Sequence, residues 1–400
     1  MVHIKLFLIL LLIILLMRLK IGIGVSLLFS SIFIGLLFLK NVYDIPKIFI
    51  TSLFSYITIK TVLIVYGVLL LSYIMRERQI DRMVGGLKHL FKNIKYAILL
   101  PPMIIGLMPM PGGAMLPAPI IDEMGSPLKL SQEKKTYINY WFRHIWEYCW
   151  PLYPGLILAA SIKNISLKSI MYHQFYLTIL AFITGLMMIF DVKNREVNEG
   201  KTDVKKGFLS LFHSILPIFI MIILIIVTSI PEEIVVLGVT FIYLIFSRSS
   251  FKKKIEFIIK SFSPDSILLI IGVMIFKDFL IASSSLNTIS ETMSKGGFPI
   301  LILLILMPAI IGFLTGINQA YVGIALPILV PFIAEGSSVD FTKLTLFYAA
   351  GFVGVMLLPM HLCLSLTREY FKAKWSNVYR ILIPSVIPIL LIPLLIYLFL

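Results

Sequence analysis

The sequence predicts an all-α polytopic membrane protein built as two inverted repeats. Each repeat has five transmembrane helices and one re-entrant hairpin. Three observations predict this. Of the 400 residues, 59% are apolar and 14% charged, and the mean hydropathy is +1.00; a soluble domain cannot hide that much apolar surface. Two apolar stretches rich in Pro and Gly stand at matching places in the two halves: IIGLMPMPGGAMLPAPII at 104–121 and IIGFLTGINQAYVGIALPILVP at 310–331. Finally, Lys and Arg are divided unevenly among the loops.

The net charge of +15 would point to nucleic acid in a soluble protein. Here the charges sit in short loops between hydrophobic runs, where they set orientation instead. The expected partner is therefore the lipid bilayer and not nucleic acid. Cys149 and Cys363 fall inside predicted helices and give neither a disulfide framework nor metal-ligand spacing. The chain contains no HExxH, GxxxxGK[ST] or GxSxG pattern, so nothing in it supports ATP-driven transport, intramembrane proteolysis or another enzymatic role. The start, MVHIKLFLILLLIILLMRLK, has the charge and apolar run of a signal peptide but no small-residue cleavage site. It reads as the first spanning helix.

In order, helices are predicted over 4–19 and 21–39, with a partly interfacial loop at 41–59 and a third helix at 61–75. The basic segment 76–95 has apolar residues at helical spacing, which suits a helix lying in the interface. Hairpin one covers 96–124, and helices four and five follow at 137–160 and 169–190. The polar linker 191–206 separates repeat one (1–190) from repeat two (207–400). The second half repeats the plan with helices at 207–229, 233–246 and 266–283, hairpin two at 298–334, and helices at 343–366 and 381–400.

Register supports the repeat. At an offset of 205, Leu6-Phe7 meets Leu211-Phe212 and Gly67 meets Gly272; after the hairpins, at 208, Pro151 meets Pro359 and Arg143 meets Gly351. Within the hairpins Gly106 answers to Gly312, Gly113 to Gly323 and Pro117 to Pro327. With the linker placed in the cytoplasm, 25 Lys and Arg lie inside and eight outside, a strong positive-inside bias. That division needs five spans per half, so the halves enter from opposite sides and both termini are outside the cytoplasmic membrane.

Broken hydrophobic segments at corresponding places in two halves point to a transport site, because irregular backbone survives in hydrocarbon only against protein or a water-filled cavity. Tip one contains Pro111, Gly112, Gly113 and Ala114. Its backbone N–H groups and the following half-helix could hold an anion; alternatively its glycines allow close helix packing. Tip two contains Thr315, Gly316, Asn318 and Gln319, whose oxygens suit a sodium ion or a polar substrate, or which form a polar break satisfied by neighbours. A sodium ion is placed near Asn318 and Gly113. Helix four carries Arg143, His144, Glu147 and Tyr148, with breaks at Pro151 and Pro154. Arg143 and Glu147 are four apart and either pair with each other or act separately, Arg143 on an anion and Glu147 or His144 on a coupling proton. Pro359 and His361 break helix nine at the matching place; His361 reads either as a proton carrier or as an interior histidine. Lys277 and Asp278 neutralise each other, and the tryptophans of helix four serve packing.

The plan of inverted repeats, a hairpin before a Pro-broken helix in each half, and polar tips resembles the ion transporter superfamily of divalent anion:sodium symporters and citrate or gluconate permeases. The wording GLMPMPGGAMLPAPI with NYWFRHIWEYCWPLYPG resembles an integral-membrane family catalogued as domain of unknown function 401. The superfamily implies an elevator, in which hairpins and broken helices slide against a scaffold of helices one to three and six to eight, usually within a homodimer. The tips here depart from the symporters' Ser-Asn-Thr motif. The function expected is secondary transport of a small, carboxylate-like anion coupled to sodium or protons. The alternative is a sodium/proton antiporter without organic substrate. No cofactor is expected beyond sodium ions.

Overall fold

The computed structural model describes residues 2–88, 94–110, 112–192, 204–283, 299–336 and 338–399. The first half runs α1 (Val2–Arg18), α2 (Ile23–Phe38), α3 (Asp44–Leu53), α4 (Tyr56–Lys88), α5 (Ile94–Ala97), α6 (Leu100–Gly106), a 3-10 turn (Gly113–Met115), α7 (Ala118–Gly125), α8 (Gln132–His144), α9 (Pro154–Lys163) and α10 (Leu167–Met188). The second runs α11 (Val204–Val227), α12 (Glu232–Phe246), α13 (Phe251–Lys260), α14 (Pro264–Ala282), α15 (Ile300–Thr315), α16 (Asn318–Ile333), α17 (Phe341–Leu357), α18 (Leu362–Phe371) and α19 (Trp375–Phe399). Among the described residues the one β-element is a short ladder, Ala334–Glu335 against Ser338–Val339. Most of the expected linker, the start of hairpin two and Pro111 lie outside the described residues.

Among the described residues, five stretches are long and apolar enough to cross a bilayer: Tyr56–Gln79, Leu167–Met188, Gly207–Val227, Phe341–Phe371 and Trp375–Phe399. They are consistent with a membrane protein. The helices α1, α2, α15 and α16 are apolar but only 16 or 17 residues long, short of the ~20 that a full span needs. Helix starts follow local chemistry. Ser131, Ser166, Ser250 and Ser263 each accept a hydrogen bond from the N–H three residues on, and Asp340 accepts from Thr342 and Lys343, satisfying donors the helix leaves open.

Three expected loops or boundaries differ. The 41–59 loop contains α3, and the stretch between the helices expected at 233–246 and 266–283 contains α13, whose Phe257 is buried while its lysines are largely exposed. Helix three does not stop at Met75. It continues into the basic segment as far as Lys88 as one 33-residue rod, about 50 Å long, and not as a separate interfacial helix. RERQIDRM has no breaker, and neighbours grip it: Gln79 Nε2 donates to Tyr243 Oη at 2.7 Å and Ser210 Oγ to the Arg82 carbonyl at 3.1 Å.

Close backbone approaches set the packing. α14 lies on α2, where a Cβ on Gly272 would stand 2.4 Å from the Gly24 carbonyl oxygen. α4 lies on α12, and Thr240 Oγ1 donates to the Gly67 carbonyl at 3.2 Å. α3 rests on α14, and α13 on α4. α6 packs on α8 and α15 on α17; a Cβ on Gly106 would meet the Arg143 oxygen at 2.3 Å, and one on Gly312 the Gly351 oxygen at 2.2 Å. α16 packs on α9, while the 3-10 turn and α7 pack on α18. α10 lies against α19. Lys277 pairs with Asp278 at 3.2 Å, as the sequence suggests.

Candidate functional site

Both tips turn on glycine. Gly112 (φ +65°) precedes the 3-10 turn, and Gly316 (φ +68°) ends α15; other residues adopt this left-handed backbone at a cost. The turns therefore fall at Gly112 and Gly316, inside both expected tips; the register partners Gly113 and Gly323 do not occupy equivalent positions. Gly323 lies within α16 against Val273. Beyond the tips, α8 ends at His144, irregular chain carries Pro151, and α9 begins with Pro154. α17 ends at Leu357, Pro359 follows, and α18 begins at Leu362.

A cavity of about 330 Å³ lies where both tips and both breaks meet. Gly112, Arg143, His144, Glu147, Gly316, Asn318, Gln319 and His361, all singled out in the sequence, line it. Gly113 and Ala114 sit behind its wall: Asn139 Nδ2 donates to the Ala114 oxygen at 2.8 Å. Thr315 faces a separate, largely apolar crevice of about 190 Å³ between α1 and hairpin two. Tyr148 turns away and packs edge-on against Phe352, centroids 4.6 Å apart. Pro151 and Pro359 shape the breaks without lining the cavity. Sequence reasoning missed Cys363, which also lines it together with Pro154 and Gly155. The His-Leu-Cys run beginning at His361 was the available signal.

Arg143 is 3% exposed, and its Nη2 donates to the Met110 carbonyl at 2.8 Å. It thereby braces tip one. His361 braces tip two in the same manner, Nδ1 to the Gly316 carbonyl at 3.0 Å. Arg143 and Glu147 form no ion pair. The helix breaks after His144, so the four-residue spacing no longer puts them on one face. Glu147 Oε2 instead accepts from Asn318 Nδ2 at 2.6 Å, and Tyr348 Oη donates to the Glu147 carbonyl at 3.1 Å. The space beside Gly113, where a sodium ion was expected, is taken by the guanidinium: a Cβ on Gly113 would meet Nη2 at 2.7 Å. Two buried polar atoms of the site have no protein partner, Arg143 Nε and Asn318 Oδ1.

Three helix N-termini open on the cavity: Pro154-Gly155 of α9, Asn318-Gln319 of α16 and Leu362-Cys363 of α18. The N–H groups there, from Gly155 on in α9 because Pro154 has none, and their partial positive charge favour an anion. Arg143 Nε adds a charged donor, while Asn318 Oδ1 offers an acceptor for a cation or a ligand N–H or O–H.

The comparisons agree with the wording of hairpin one and helix four. No curated protein matches the chain. The model of the family described as "Protein of unknown function (DUF401)" matches residues 1–400, end to end, hairpins and breaks included. The chain therefore belongs to the DUF401 family.

Proposed function

We propose that the protein is a secondary active transporter that moves a small carboxylate-like anion across the cytoplasmic membrane, coupled to sodium or protons. One observation carries this reading: three half-helix N-termini and the unpartnered Nε of a buried arginine converge on one cavity at two helix breaks. Buried ionisable groups among apolar helices usually mark a pathway.

Two inverted repeats, with repeat one at 1–190 and repeat two at 207–400, fit the way the halves exchange partners. The third helix of each half packs on the second helix of the other, α14 on α2 and α4 on α12. The amphipathic helices do likewise, α3 on α14 and α13 on α4. Each hairpin's first arm packs on its own half's broken helix, and its second arm on the broken helix of the other. A pseudo-two-fold axis produces such an exchange. On this reading the hairpins with α8–α10 and α17–α19 form an elevator unit, as in the ion transporter superfamily. α1–α4 and α11–α14 form the scaffold, within a homodimer whose termini lie outside.

The test is uptake of labelled carboxylates into proteoliposomes under an imposed sodium or proton gradient. Gradient-dependent uptake, lost in Arg143→Ala while the variant stays folded, is expected. Normal uptake by that variant would refute the reading. The same vesicles test antiport, which the Glu147–Asn318 contact favours: sodium alone would release protons, and Glu147→Gln would abolish the release.

A further inference from the structure

The wall of the cavity holds a second constellation. His144 ends α8, and His361 and Cys363 flank the start of α18. One ligating atom from each of the three lies within 4.8 Å of the other two. The two Nε2 atoms are 3.3 Å apart. His144 Nδ1 lies 2.6 Å from the Tyr140 carbonyl oxygen, and His361 Nδ1 lies 3.0 Å from that of Gly316.

Those carbonyls can only accept, so each Nδ1 carries the ring proton. Both Nε2 atoms of the neutral rings then present lone pairs to one another. Arg143 Nη1 makes one long hydrogen bond to His144 Nε2, at 3.4 Å, but puts no proton between the two Nε2 atoms. Two acceptors at such a distance repel unless a cation joins them.

We propose that His144, His361 and Cys363 bind one borderline-soft divalent metal ion of the zinc class. The spacing suits it: two Zn–N bonds of about 2.0–2.1 Å at a tetrahedral angle place the nitrogens roughly 3.3–3.4 Å apart. The Nδ1 bonds to backbone carbonyls are the outer-shell arrangement that orients metal-binding histidines. Two imidazoles and a thiolate select zinc or cobalt over magnesium or calcium. Glu147 Oε1 lies 3.7 Å from His144 Nε2 but outside the three-residue group, so solvent completes the tetrahedral shell and the carboxylate supplies nearby negative charge.

Binding displaces one proton, from the Cys363 thiol, to solvent; no electron is transferred. The thiolate and the Glu147 carboxylate offset the dication beside Arg143. The ion would join a break in the first half to a break in the second. The inference does not depend on transport.

The test uses the purified full-length chain, stripped with a chelator and titrated with Co²⁺ and Zn²⁺. One equivalent per chain is expected, with a thiolate-to-cobalt charge-transfer band in the near ultraviolet. Cys363→Ser should lose the band, and His361→Ala should weaken binding roughly tenfold or more. Cys149→Ser is the control, since Cys149 Sγ bonds Thr178 Oγ1 at 3.1 Å, away from the cavity. Zinc-edge X-ray absorption on the unaltered protein decides the matter without variants, by one sulfur at about 2.3 Å with nitrogens nearer. Binding below one equivalent overturns the proposal, as does a zinc shell without sulfur; a proton shared between the histidines would then account for their approach.

Discussion

The contact between Asn318 and Glu147 joins residues 171 positions apart, one at the tip of hairpin two and one in the first helix break. Both are buried, at 6% and 8% exposure, and the 2.6 Å separation is at the short end for such a bond. A hydrogen bond to a carboxyl group contributes about 1–3 kcal/mol, and stranding a buried partner costs about as much again. Asn318→Ala and Glu147→Ala should therefore each cost about 2–5 kcal/mol. The double variant strands neither partner, so it should cost only about 1–3 kcal/mol, well short of the sum of the two single variants. Equilibrium unfolding in detergent, read as a double-mutant cycle, measures that shortfall. Additivity to within about 0.5 kcal/mol would mean that the two side chains do not interact, and the picture of a tip latched to the opposite break would fall.

Three further outcomes follow from particular contacts. Gly106→Ala and Gly312→Ala drive a methyl against a carbonyl oxygen at 2.3 and 2.2 Å and should each cost about 1–3 kcal/mol in thermal or denaturant unfolding. Gly238→Ala, in α12 with no atom within 4 Å of the added carbon, should instead stabilise by about 0.5–1 kcal/mol. Lys60 lies 3.5 Å from both Glu232 and Glu233, a partly exposed cluster, so Lys60→Ala should change stability by about 1 kcal/mol or less, least of all in high salt. At Asp340 burial pushes the carboxyl up, but the Lys343 N–H and ammonium and the Thr342 N–H outweigh it and hold the group below the usual carboxylate range. A depressed folded value means stability present above the unfolded pKa and lost as pH falls through the folded one. The gap between wild type and Asp340→Ala should be constant at neutral pH and shrink on acidification through the carboxylate range; a gap that widens there would contradict this.

Much of the architecture was legible because it is local. Proline and glycine clustered together interrupt an apolar helix, so the hairpins at the two tips and the breaks near Pro151 and Pro359 could be placed from residue type, although single prolines such as Pro217 and Pro308 sit within continuous helices. Serine and aspartate caps mark helix starts for the same reason. Errors arose where the outcome depends on a distant partner. Nothing near Met75 says whether the helix stops or turns into the interface; Tyr243 and Ser210, from the second half, hold it as one rod. Arg143 and Glu147 look like a helical pair until the helix between them ends.

The site divides along the same line. Its residue types were readable, since a buried Arg, Glu or His amid apolar sequence is costly enough to stand out. Cys363 was signalled only by its place two residues after His361, because a cysteine in an apolar run otherwise resembles any small core residue. The sequence by itself determined the membrane-like composition, the two broken hairpins and most of the polar groups. Only the tertiary structure decided that three helix N-termini meet at one cavity, that Tyr148 and Thr315 face elsewhere, and that His144 lies against His361 across 217 residues. Chain-distant juxtaposition is set by packing of whole helices, and no short stretch of sequence carries that information.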